Sequence, residues 1–163
     1  MAGIRMSALV GLPVVREGRT ISRVERPVLT PDGHALRGLV VRRGLGAARW
    51  LGAEVLKVAG SVSVVTGEAP GKVPEGADFA LHGVRDTAGL NLGVVVDAWL
   101  DPLTLRVAAL EILPGLVEAF TCGTLRCERF AVCPDAQEPG LVLLPQDAWL
   151  ERWCAAPHST ARR

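Results

Sequence analysis

"SRVERPVLTP" (residues 22–31) and "GVVVDAWLDP" (residues 93–102) carry one apolar skeleton twice. Placing residue 18 over residue 89, an offset of 89 − 18 = 71, aligns the chain without a gap as far as residue 44 over residue 115. Gly18 then meets Gly89, Val24 meets Val95, Leu29 meets Leu100, Pro31 meets Pro102, Leu39 meets Leu110 and Gly44 meets Gly115. Ile21 over Leu92, Leu36 over Val107 and Val41 over Ile112 keep apolar character where identity is gone. Solvent-type positions drift freely, as a duplication under a packing constraint requires: core positions and turn glycines persist, outward ones do not. After a small insertion, "LGAEVLKV" (51–58) parallels "LRCERFAV" (125–132), and "SVSVV" parallels "LVLL". The repeat is roughly 60 to 70 residues long, enough for a five- or six-stranded barrel.

Short runs of Val, Ile and Leu between glycines and prolines fill both copies, among them "RGLVV", "SVSVV", "LGVVV" and "VAALEIL". Such runs predict strands, so the chain is expected to be all-β. "TPDGHA" predicts a tight hairpin, and "DPLT" takes the same place in the second copy. Residues 66–78, "TGEAPGKVPEGAD", have two prolines and three glycines and almost no large apolar group. They predict a linker over 68–78 between a first unit, 1–67, and a second, 79–145. Over 146–163 the expectation is a short helix and a disordered tail. Gln146 or Asp147 would cap that helix, and Trp149, Leu150 and Trp153 would share one face.

A chain of 163 residues can bury a stable core without staples. No apolar run approaches the roughly 18 residues of a membrane helix. "MAGIRMSALVGLPVV" reads as the first strand of the fold, not as a cleaved leader. Basic and acidic residues nearly cancel, 18 against 17, so no strongly basic balance points to nucleic acid. With four cysteines, at 122, 127, 133 and 154, and no export signal, the expected compartment is the cytoplasm and the expected state free thiols.

No active site is expected. Cys122, Cys127 and Cys133 form C-x4-C-x5-C without the short paired knuckle of a zinc site, leaving free thiols or a redox pair as readings. His34, His82 and His158 are scattered, and "RRGLGAARWLG" (42–52) lacks the Lys-Ser/Thr ending of a phosphate loop. Asp97, Asp101, Glu111 and Glu118 fall on turns and alternate strand faces, giving no close carboxylate pair. Neither cofactor nor metal is therefore expected. Arg37, Arg42, Arg43, Arg49 and Trp50 form a basic stretch with an aromatic, and with Trp149 and Trp153 they are the candidate interaction surface, because Arg and Trp anchor interfaces and also line nucleic-acid surfaces.

The second copy runs from a hairpin glycine through a Gly-x-Val-x-Asp strand, an Asp-Pro turn, an apolar strand and a Glu-bearing segment to a closing Val strand. Its carriers are Gly89, Leu92, Gly93, Val95, Asp97, Leu100, Asp101 and Pro102. This order resembles the PRC-barrel, the small β-barrel of the photosynthetic reaction centre H subunit and of the ribosome maturation factor RimM. In the first copy Ser22 stands where that Gly would be, Arg26 replaces the Asp, and Pro27 predicts an edge or a bulge. The resemblance implies two small PRC-barrel-like barrels in tandem with no catalytic signature. It implies a non-enzymatic adaptor or assembly module that binds a protein partner through barrel surfaces, with a RimM-like ribosome or RNA association as the alternative. Exposed barrel edges add an expectation of homodimers.

Overall fold

The computed structural model describes residues 3–115 and 123–145, and the backbone of 150–153. Strands account for about half of it and helix for 5%. The elements are β1 (Ile4–Arg5), a single helical turn α1 (Met6–Leu9), β2 (Pro13–Arg16), β3 (Arg19–Leu29), β4 (Leu36–Arg42), β5 (Arg49–Gly52), β6 (Leu56–Ala59) and β7 (Val64–Thr66). They continue with β8 (Gly83–Asp86), β9 (Asn91–Leu100), β10 (Val107–Leu113), β11 (Thr124–Cys127), β12 (Ala131–Val132), β13 (Val142–Leu144) and β14 (Leu150–Trp153).

Among the described residues these strands form two curled sheets. The first runs β5-β4-β3-β2-β7-β6, and the second, read from the matching side, runs β11-β10-β9-β8-β13-β12. Each has one parallel pair, β2 with β7 and β8 with β13.

The register repeats as well as the order. In β3/β4, Val24 faces Val41, Pro27 faces Leu39 and Leu29 faces Leu36; in β9/β10, 71 residues on, Val95 faces Ile112, Ala98 faces Leu110 and Leu100 faces Val107. Even the irregularities coincide. Register shifts skip Ile21, Glu25 and Arg37 in the first sheet and Leu92, Val96 and Ala108 in the second, each pair again 71 apart. A bulge bends its strand and increases the local twist, so three at fixed positions give both sheets the same curl. Beyond β4 the sequence alignment needs adjustment. Leu51 faces Leu39 as Cys127 faces Leu110, an offset of 127 − 51 = 76, so the pairing of "LGAEVLKV" with "LRCERFAV" is two residues out at its start.

Each sheet has its own buried cluster. Val14, Val24, Leu39, Val41, Leu51 and Val64 fill the first, and Val84, Ala98, Leu110, Ile112, Cys127 and Val142 the second. Leu100 belongs to the first cluster although it lies on β9, and Met6, Leu81 and Val107 pack against both, so the two cores are joined.

Three segments differ from the sequence expectations. The opening strand does not start the first sheet: Ile4 and Arg5 pair with Leu100 and Trp99 of β9, and α1 then carries the chain to the first core, where Leu9 is fully buried. The expected linker is pinned, since Gly71 exchanges both backbone hydrogen bonds with Trp50. Where a C-terminal helix was expected, Leu150–Trp153 is a strand antiparallel to β11, extending the second sheet. A four-residue strand gains ladder bonds from β11 that a short helix of the same residues would have to find alone. Residues 146–149 and the expected tail beyond 153 lie outside the described residues. Pro27 is interior in strand order, but β2 pairs β3 only as far as Pro13 with Arg23, so at Pro27 that side of β3 is locally an edge. Among the described residues no helix is long and apolar enough to cross a membrane.

Candidate functional site

The geometry divides the arginine and tryptophan set into three. Trp50 faces Val40 across β4/β5, and its indole lies over Gly38, where an added Cβ would come within 2.4 Å of the ring. The Arg37 guanidinium sits 5.7 Å from that ring and donates to the Glu75 carbonyl at 3.2 Å. Trp50 and Arg37 therefore clasp the 67–78 segment onto the edge of β5, blunting an edge that would otherwise present unpaired backbone groups.

Arg42 is paired. Its Nε donates to Glu25 Oε2 at 2.7 Å and its Nη2 to Oε1 at 3.1 Å, a bidentate pair, while Nη1 donates to the Gly46 carbonyl at 2.8 Å. The Arg42 hydrogen bond holds the Glu25 carboxyl below its usual range, and Glu25 in return raises Arg42. Arg42 thus pins the turn between β4 and β5.

At the two ends of that pinned turn stand Arg43, just past β4, and Arg49, the first residue of β5, both exposed and without an acidic partner among the described residues. With Arg16 of β2 and Ser22 of β3 they line a groove of about 430 Å³ whose apolar lining includes Ile21, Ala69 and Pro70. Neither Arg16 nor Ser22 carries a site signal in the sequence, because the first comes from another strand and the second reads as a lapse from glycine. Of the two C-terminal tryptophans, Trp149 lies outside the described residues and Trp153 is described only as backbone of β14.

On the second sheet the same outward positions are apolar. Arg23, Glu25 and Arg42 of the first sheet correspond at the offset of 71 to Val94, Val96 and Leu113. Val94 and Val96 are 47% and 48% exposed, and Leu113 is half-buried opposite Val94. Val96 and Val10, itself half exposed, also line a largely apolar groove of about 250 Å³ between the sheets, with Met6, Pro27 and Phe79. The Asp97 carboxylate at its rim accepts from the Ser7 backbone N–H at 3.1 Å and from the Ser7 hydroxyl.

A buried charge lies further along this sheet. Glu111, 7% exposed, stands where the first sheet has Val40. Arg5 Nη2 lies 3.1 Å from its Oε2 and aims its hydrogen bond at Oε1, 3.3 Å away, which also accepts from Thr124 Oγ1 at 2.7 Å. The Arg5 and Arg126 guanidiniums lie 4.8 Å and 5.4 Å from the Trp99 ring centroid. Arg5 and Glu111 thus neutralise each other, and β1 is held by more than its two-residue ladder.

Cys127 is fully buried, and burial raises its thiol above the ordinary value; Cys133 is half-buried, and Cys122 and Cys154 lie outside the described residues. No three His, Cys, Asp or Glu side chains gather as a metal set among the described residues. Compared with models of known protein families the chain matches none, and no curated protein matches it.

Proposed function

We propose that the protein is a non-enzymatic adaptor or assembly module of two PRC-barrel-like units, and that it docks a protein partner on the outward face of its second sheet. One observation carries this reading. The positions that hold Arg23, Glu25 and Arg42 in the first sheet hold Val94, Val96 and Leu113 in the second, on the same backbone with the same bulges. The scaffold is satisfied by charges there, as the first sheet demonstrates, so packing within the protein does not demand valine. Clustered exposed apolar side chains are what a docking surface needs, since their burial against a partner supplies the association free energy. Continuity with the groove at Val10 extends the patch towards the first sheet.

A photo-activated cross-linking residue at position 96, introduced in the native cell, tests the proposal. A discrete cross-linked protein is expected, and Val94→Asp is expected to abolish it while leaving the melting temperature unchanged. The reading fails if no species forms, or if the same species forms in the Val94→Asp protein.

A further inference from the structure

We infer that the far end of the first sheet is a phosphate site, formed by Arg16, Arg43, Arg49 and Ser22, that takes a phosphomonoester with an apolar body. It lies where β3 begins and β4 ends, at the opposite end of that hairpin from the Thr30–Ala35 turn that meets the second sheet, and does not depend on the docking face proposed above.

The first argument is an unsatisfied donor. Ser22 lines the groove and is 7% exposed, and its hydroxyl is buried with no hydrogen-bond partner; Arg16 Nε is likewise buried without one. Buried polar atoms are nearly always paired, and an unpaired one calls for a ligand or a solvent molecule to complete it. Three arginines lining the same groove as Ser22 define an acceptor-rich, anionic occupant, and guanidinium geometry matches phosphate oxygens two at a time.

The second argument is that the scaffold does not need these residues. Register places Asp86 where the first sheet has Arg16, Gly93 where it has Ser22, Pro114 where it has Arg43 and Leu125 where it has Arg49. The second copy builds the same corner with no basic side chain at any of the four. The surrounding charges leave the site positive: Glu17, 3.5 Å from Arg16 and highly exposed, lines a neighbouring pocket together with Arg19, and Glu25 is engaged by Arg42.

Size sets the ligand class. A groove of about 430 Å³ with Ile21, Ala69 and Pro70 in its lining is far larger than a bare phosphate ion and falls in the range of small-molecule sites. An apolar or ring-bearing body would cover those side chains while its phosphate meets the arginines.

The test is an NMR titration of the full chain with inorganic phosphate and with phenyl phosphate, following the Ser22 amide and the Arg16 Nε–H. Saturable shifts at both are expected, with phenyl phosphate bound about tenfold more tightly than phosphate. Arg43→Gln with Arg49→Gln should weaken binding by at least about tenfold, and Ser22→Ala by about three- to tenfold with no loss of melting temperature, because that hydroxyl bonds nothing in the protein. Three outcomes overturn the inference: no saturation at millimolar phenyl phosphate, undiminished binding in the double variant, or shifts produced by an RNA oligonucleotide and not by phenyl phosphate.

Discussion

Ala35 and Arg106 face each other in an antiparallel bridge between the two sheets, and they are the same position of the repeat, since 106 − 35 = 71. The flanking bonds obey the same exchange: Leu36 N–H donates to the Leu105 carbonyl at 2.8 Å, and Val107 N–H donates to the His34 carbonyl at 2.9 Å. Swapping the copies maps one bond onto the other, so the halves meet about a local two-fold axis as the subunits of an isologous dimer do.

Gly33 tests that junction. Its φ is +73°, and an added Cβ would come within 2.7 Å of Val132 in the second sheet, beside the Phe130 ring that stacks on His34 at 4.7 Å. Gly33→Ala is expected to destabilise the protein by about 1–3 kcal/mol, read as a lower urea midpoint. An unchanged midpoint would show that the hairpin tip is not held by the second sheet.

Equivalent positions can tolerate opposite substitutions. Gly93 has φ +135°, and a Cβ there would stand 2.2 Å from the Leu113 carbonyl oxygen, whereas Ser22 occupies the matching place without positive φ. Gly93→Ser should cost at least about 2 kcal/mol, and Ser22→Gly no more than about 1 kcal/mol. Chemical denaturation of the two variants compares them directly; equal losses would refute the steric account.

The buried ion pair is replaceable as a unit. Arg5→Met strands the Glu111 carboxylate, for an expected loss of about 1–3 kcal/mol. Adding Glu111→Val, which installs the residue type of Val40, should return most of that loss, because a well-packed apolar pair commonly equals a buried ion pair. A double variant no more stable than Arg5→Met would contradict this.

Acid should weaken the hairpins. Thr104 and Leu103 backbone N–H groups hold the Asp101 carboxyl below its usual range, and the Thr30 hydroxyl followed by the His34 N–H does so for Asp32. Because folding lowers these pKa values, their contribution is complete above the unfolded carboxylate range of about 4 and is lost as pH falls through the folded values. Asp101→Asn keeps an acceptor oxygen but cannot titrate. Its urea midpoint should fall less than the wild type's between about pH 6 and about pH 2, and a parallel fall in the two proteins would count against the turn as the titrating element.

Thiol reactivity should follow burial. Cys127 is fully buried with its thiol raised, so alkylation of the folded protein at neutral pH should mark Cys133 well before Cys127. Peptide mass mapping of a time course reads the order, and the reverse order would be inconsistent with Cys127 in the core.

The duplicated core was legible because packing constrains it: Val24 and Val95, or Leu39 and Leu110, can change little when each fills the same interior place. Pairings between distant short segments were not. Ile4–Arg5 is too short to show a period, and what fixes it is Trp99 and Glu111, about a hundred residues away. Gly71 carries no side chain to announce its bonds with Trp50, and Leu150–Trp153 has a spacing compatible with a helix until β11 is beside it. At the sites, the arginines drew attention by density, but which were engaged depended on Glu25, Gly46 and Glu75, and the Val94–Val96 face emerges only when the two copies are compared position by position.

A contact in which each half offers the other the same surface is self-limiting: once the Ala35 and Arg106 hairpins have met, neither tip is left to recruit a third sheet. A polypeptide with a single repeat would have to find a second molecule to satisfy it and would fall apart on dilution. Fusing the two in one chain removes that dependence, so the junction survives at any concentration.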